Sequence, residues 1–121
     1  GKDGADVVYD PVGGDYAEAA LRAIAWGGRF LVVGFPAGIP RIPLNLPLLK
    51  SCDIRGVFWG SFVDREPLRH LDNVRELLAL YARGALRPLV SERFPLERGA
   101  AAMQRLASRE ATGKVVVTIR A

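Results

Sequence analysis

The chain has 121 residues, 50% apolar and 25% charged, enough for a domain with its own core and far from the composition of a disordered or fibrous protein. A single cysteine, Cys52, excludes an internal disulfide. With no signal-like leader and no run approaching a membrane span, a cytoplasmic location without membrane contact is expected. The formal net charge of +4 is no nucleic-acid footprint, because the arginines are interleaved with acids, as in Arg65-Glu66 and Arg75-Glu76.

The first element is Asp6 to Asp10, an apolar run closed by Pro11-Val12-Gly13-Gly14, which reads as a buried strand. Asp15 and Glu18 have the spacing of a capping box. The helix they would open carries Ala17, Ala20, Leu21 and Ile24 on one face and is expected to stop at Gly27. Phe30 to Val33 is the second strand. It is apolar without alternation, so both of its faces are expected to be covered, as in a parallel sheet. Four prolines between Pro36 and Pro47 argue against regular helix there. Leu44, Leu46, Leu48 and Leu49 predict that the stretch is nevertheless anchored. Ile54 to Trp59 is a third strand, interrupted by Gly56.

The longest helix is expected from Asp64 to Gly84, with Leu68, Leu71, Val74, Leu78 and Tyr81 at three- and four-residue spacing. A strand from Val90 to Phe94, a helix from about Glu97 to Ser108 and a strand from Lys114 to Ile119 complete the chain. The order β-α-β-loop-β-α is half of a doubly wound sheet. The β-α-β tail changes character at Arg87-Pro88, which suggests domains of 1–86 and 87–121.

Four segments carry a more specific signal: "GADVVYDPVGG", "ALRAIAWGGRFLVVGFPAG", "DIRGVFWGSF" and "FPLERGAAAMQRLASREATGKVVVTI". In this order and spacing they resemble the carboxyl part of the medium-chain dehydrogenase/reductase superfamily, closest to its NADPH:quinone oxidoreductase branch. The resemblance implies an α/β fold. It would comprise the second half of a Rossmann-type parallel sheet, then a tail that would pack on a GroES-like substrate domain. It implies hydride transfer from NADPH to a small molecule, a quinone or activated alkene, without zinc. It also implies a homodimer through the edge strand 54–59.

No G-x-G-x-x-G turn and no G-K-[ST] occurs among the 121 residues. The expectation is therefore the carboxyl portion of a longer enzyme, without the phosphate loop that follows the first Rossmann strand. Such a chain is expected to be inactive alone and to bind NADPH no better than roughly millimolar, about 4 kcal/mol.

Ligands of parallel sheets sit beyond the carboxyl ends of the strands. By the resemblance, Val12, Gly13, Val33, Gly34, Phe35, Phe58 and Trp59 face the nicotinamide end of the cofactor, and Lys114 meets a phosphate or ribose. Simpler readings stand beside these. Gly13 and Gly34 could be turn glycines, Phe58 and Trp59 core residues, and Lys114 a solvated lysine at a strand start. No catalytic side chain stands out. His70, the only histidine, reads as a surface residue, and Cys52 has no partner at metal-ligand spacing. Two other classes remain open. A class I methyltransferase shares the acidic strand and the "GGR" entry but ends its sheet in an antiparallel hairpin, and a non-enzymatic α/β interaction module would use the glycines only structurally.

Overall fold

The computed structural model describes residues 3–119. The chain divides into two compact units, Gly1–His70 and Leu71–Ala121.

The first unit contains β1 (Ala5–Asp10), α1 (Tyr16–Arg22), β2 (Ile24–Val32), α2 (Asn45–Lys50), β3 (Asp53–Gly56) and α3 (Trp59–Arg65). Its strands form one sheet in the order β1-β2-β3, with both pairings parallel. Helices α1 and α2 cover one face, and their contact with the sheet makes the core of Ala17, Leu21, Ile24, Phe30 and Leu46. Strand alternation turns Phe30 into this core, with Val8 and Val32 packed against it. The unalternating apolar pattern led to the expectation of two covered faces. On the face of β2 away from the helices, however, Leu31 is half-buried and Arg29 exposed, and on the neighbouring β1 Val7 and Tyr9 are 57% and 63% exposed.

Several boundaries differ from the sequence reading, each for a local reason. Helix α1 ends at Arg22, not at Gly27, because Ile24 already pairs with Ala5 and the Ala5 N–H bonds to the Ala23 carbonyl. Gly27, with φ of +70°, lies instead within a bulge of β2. The Asp15–Glu18 capping box does not form. Asp15 adopts αR geometry instead of the extended conformation of a capping residue, and Glu18 accepts from Arg22 one turn along. A short helix does follow the prolines: Pro47 is tolerated in α2 because it sits in the first turn, where an N–H would lack an intrahelical partner. Strand β3 stops at Gly56, since Trp59 already begins α3.

Helix α4 (Pro67–Ala82) begins after Glu66 and runs from the first unit into the second. The expected start at Asp64 fell inside α3; the break at Glu66 precedes Pro67, whose ring disfavours a helical predecessor. In the second unit β4 (Val90–Pro95) and β5 (Lys114–Thr118) pair in parallel, with a 3-10 turn at Leu96–Arg98 and α5 (Gly99–Ala107) between them. A parallel crossover through a helix is not the antiparallel hairpin of a methyltransferase sheet. Arg105 of α5 ties the crossover by donating to Glu92 of β4 at 2.7 Å and to Glu110. The hydrogen bond to Glu92 leads in raising its pKa further.

Candidate functional site at the carboxyl ends of the strands

Asp10 closes β1 and is buried. Its Oδ1 accepts from the Val12 N–H at 3.0 Å and the Gly13 N–H at 2.9 Å, which folds the chain back as an Asx turn. Its carbonyl accepts from Val33 N–H at 3.0 Å and Gly34 N–H at 3.4 Å. One residue thus fixes the loops that follow two strands. Two further bonds stitch them together: Ala37 N–H to the Val12 carbonyl at 3.0 Å, and Gly14 N–H to the Gly38 carbonyl at 2.7 Å. The third loop joins where Val57 N–H bonds to the Val32 carbonyl at 2.8 Å.

The two glycines singled out from sequence have different physical standing. Gly13 has φ of +71°, and an added Cβ would lie 2.7 Å from the Gly38 carbonyl oxygen and 2.9 Å from the Phe35 ring. The turn alone demands glycine there. Gly34 has no positive φ, and an added Cβ would meet its nearest neighbour, the Pro11 oxygen, at an ordinary 3.5 Å. The fold does not need glycine at 34. Beside it, the Phe35 N–H and the Val33 and Gly34 carbonyls have no hydrogen-bond partner among the described residues. A bare backbone segment with one donor and two acceptors suits a primary amide, which needs both kinds of partner.

Val12 and Phe35 are exposed and Val33 is half-buried at this rim. Phe58 is 80% and Trp59 52% exposed, so the core reading of both fails. The strands therefore bring Val12, Gly13, Val33, Gly34, Phe35, Phe58 and Trp59 to the same end of one sheet. Lys114 belongs to the second unit, where its N–H bonds to the Leu89 carbonyl at 2.7 Å and its side chain is exposed.

His70 departs from its reading as a surface residue. It is half-buried, its ring stands 5.3 Å from that of Trp59 at 78°, and its Nδ1 is closed off from solvent without a hydrogen-bond partner. Phe62 lies 5.4 Å from Trp59 on α3 and carries the Arg69 guanidinium 5.7 Å from its centroid. The i, i+11 spacing of Trp59 and His70 crosses a helix break, so no periodicity pointed to this cluster. A cleft of about 560 Å³ was also missed. It lies between α1 and the 37–41 loop, is lined by Asp15, Glu18, Arg22 and Arg41 among others, and includes none of the eight expected residues.

Among the described residues no group of three His, Cys, Asp or Glu side chains could hold a metal ion, and Cys52 is a free thiol. These residues do not fit a zinc site. No described helix is long and apolar enough to cross a membrane.

The family model described as zinc-binding dehydrogenase matches residues 1–117. The quinone oxidoreductase-like protein 2 homolog of Nematostella vectensis is 37% identical over 119 residues, which cover 97% of this chain and 33% of that relative. The quinone oxidoreductase of Thermus thermophilus, solved also in complex with NADPH, matches with a TM-score of 0.80 at 30% identity over 96% of this chain and 37% of that one. The CurK enoyl reductase matches with a TM-score of 0.74 at 25% identity over 96% of this chain and 35% of that one. The chain thus spans about a third of the length of these relatives, and its α/β fold is the Rossmann type of medium-chain oxidoreductases.

Proposed function

We propose that this chain, which belongs to the zinc-binding dehydrogenase family, forms the nicotinamide-facing part of an NADPH-dependent oxidoreductase that acts on a quinone or an activated alkene. The observation that carries this reading is the bare backbone at Val33–Phe35, an unspent donor and two unspent acceptors flanking a glycine that the fold does not require. A nicotinamide carboxamide has the complementary groups, and the absence of a side chain at Gly34 lets the ligand come close to the backbone. When bound, NADPH supplies the hydride; the protein supplies position and exclusion of water. Val12, Phe35 and Phe58 offer apolar walls at the rim, and Gly13 holds the first loop in shape. The names of the relatives, quinone oxidoreductase and enoyl reductase, support the acceptor class.

Pyrophosphate recognition needs converging amides at a helix start, and the 121 residues hold no glycine-rich turn that would supply them. The chain alone is accordingly inactive and binds NADPH no more tightly than about millimolar, roughly 4 kcal/mol. Lys114 approaches a phosphate or ribose, zinc takes no part, and residues 1–86 and 87–121 serve as nucleotide-binding part and tail.

The test is saturation-transfer NMR at millimolar NADPH. Transfer to the nicotinamide protons above the adenine protons is expected, with loss in Gly34→Val while the circular dichroism stays unchanged. Transfer centred on adenine, or untouched by Gly34→Val, would overturn the reading.

The same reading includes a cytoplasmic homodimer through the edge of β3. Asp53, Ile54, Arg55 and Gly56 are all exposed. With Ile54 on a two-fold axis, each Asp53 would stand opposite the other copy's Arg55 in an antiparallel ladder. Val57 N–H is already spent on β2, so strand alternation turns the Ile54 and Gly56 N–H groups outward. Ile54→Pro should therefore yield monomer in sedimentation, and an unchanged dimer in the folded variant would remove this interface.

A further inference from the structure

We propose that His70 is a positioning residue for Trp59, holding the indole as a fixed wall on which the ring of the hydride acceptor stacks. The proposal rests on the oxidoreductase reading and assigns it two residues that touch different things: Trp59 the acceptor, His70 only Trp59.

The first observation is what His70 does not do. A buried polar atom normally finds a partner, and leaving one unpaired works against folding. Nδ1 of His70 is shut from solvent and has none. Hydrogen bonding through that nitrogen is therefore not what the imidazole contributes here. What it presents is its ring, with its centroid 5.3 Å from that of Trp59 and the two planes at 78°, the T-shaped geometry that aromatic pairs favour. Phe62 supports the same indole from α3 at 5.4 Å, and is itself held under Arg69, which pairs with Glu66. Trp59 is thus gripped by two rings and still 52% exposed.

The second observation is where this wall stands. The unspent backbone groups at Val33–Phe35 end β2, whereas Trp59 follows β3, the neighbouring strand. Adjacent strands lie about 4.8 Å apart. Trp59 therefore stands at the same end of the sheet as the carboxamide site, one strand over, and an acceptor held on it would have to reach the face of the nicotinamide from there. Indole is electron-rich, and a quinone or conjugated enone is electron-poor, so offset stacking between them is favourable. Fixing the wall before the ligand arrives removes an ordering cost from binding.

Trp26→Phe leaves Trp59 as the sole tryptophan of the chain and makes its fluorescence the readout. With a water-soluble benzoquinone, the expected result is saturable static quenching with an unchanged lifetime, and slow anisotropy decay of the indole. His70→Ala should speed the anisotropy decay and weaken the saturable quenching about five-fold, the loss of one aromatic contact. His70→Phe returns a ring without a nitrogen and should restore both signals. Purely collisional quenching in the Trp26→Phe chain, or saturable quenching unchanged by His70→Ala, overturns the proposal. NADPH is absent from this experiment, so the outcomes separate. Nicotinamide transfer that depends on Gly34, together with collisional quenching, removes only the role of Trp59 and His70. Saturable quenching without any nicotinamide transfer removes the oxidoreductase reading and the acceptor assignment with it.

Discussion

Helices α1 and α4 make an instructive pair. The first has 7 residues, several of them alanine, and places Ala17 and Leu21 wholly inside, against Ile24, Phe30 and Leu46. The second has 16 residues and a regular apolar stripe, yet Leu68, Leu71, Leu78 and Tyr81 remain between 47% and 76% exposed. Periodicity states which side chains share a face. Burial depends on a surface that comes close enough to exclude water. Alanine on α1 allows that approach to the sheet, whereas the stripe of α4 is exposed on this chain.

The largest expected effect breaks the well-covered side of the comparison. Leu21→Ala removes a fully buried side chain from the core under α1 and should cost about 2–5 kcal/mol in urea denaturation. A loss below about 1 kcal/mol would mean that this core is no better packed than the face of α4. Next comes Asp10→Ala, which strips the acceptor from the Val12 and Gly13 N–H groups at the loop end of the same sheet. About 1–3 kcal/mol should be lost, together with hydrogen-exchange protection of those two amides. Retained protection would mean that another group satisfies them. The smallest effect is expected at Leu78→Lys on α4. Both residues are good helix formers, and Leu78 is 61% exposed, so stability should change by less than about 0.5 kcal/mol. A loss above about 1 kcal/mol would show that the stripe is covered in solution.

The pattern of strands was legible from β-branched runs bounded by glycine and proline, as at Val7-Val8-Tyr9 and Val115-Val116-Val117, because such side chains fit a pleated strand better than a helix. The parallel order followed from the unalternating apolar pattern of Phe30 to Val33 and from the order of strands, helices and loop. Less legible were features decided by competition between neighbours. Glu18 could cap the helix or pair with Arg22, and the αR geometry at Asp15 settled it in favour of the pair. Gly27 could end a helix or form a bulge, and the bond between Ala5 and Ala23 decided for the bulge. At the candidate site, the sequence pointed to Gly13 and Gly34 alike. Only backbone angles and Cβ distances separate a glycine the turn requires from one it does not. The clasp of His70 on Trp59 was invisible, because α3 and α4 meet at a break that no repeat crosses.

The bulge in β2 carries a consequence for how this fold tolerates change in length. Between its pairings with Ala5 and Val7, β2 advances from Ile24 to Arg29 while β1 advances only two residues. Trp26 projects from this slack with 76% exposure, and no atom outside residues 26–28 lies within 4 Å of where a Gly27 Cβ would be. From Arg29 onward each residue is locked to partners on both sides. A residue inserted at Trp26-Gly27 would therefore lengthen the slack and leave the alignment of Phe30 to Val32 as it is. The distance along the chain from α1 to the glycine loop can drift while the place of that loop in space does not.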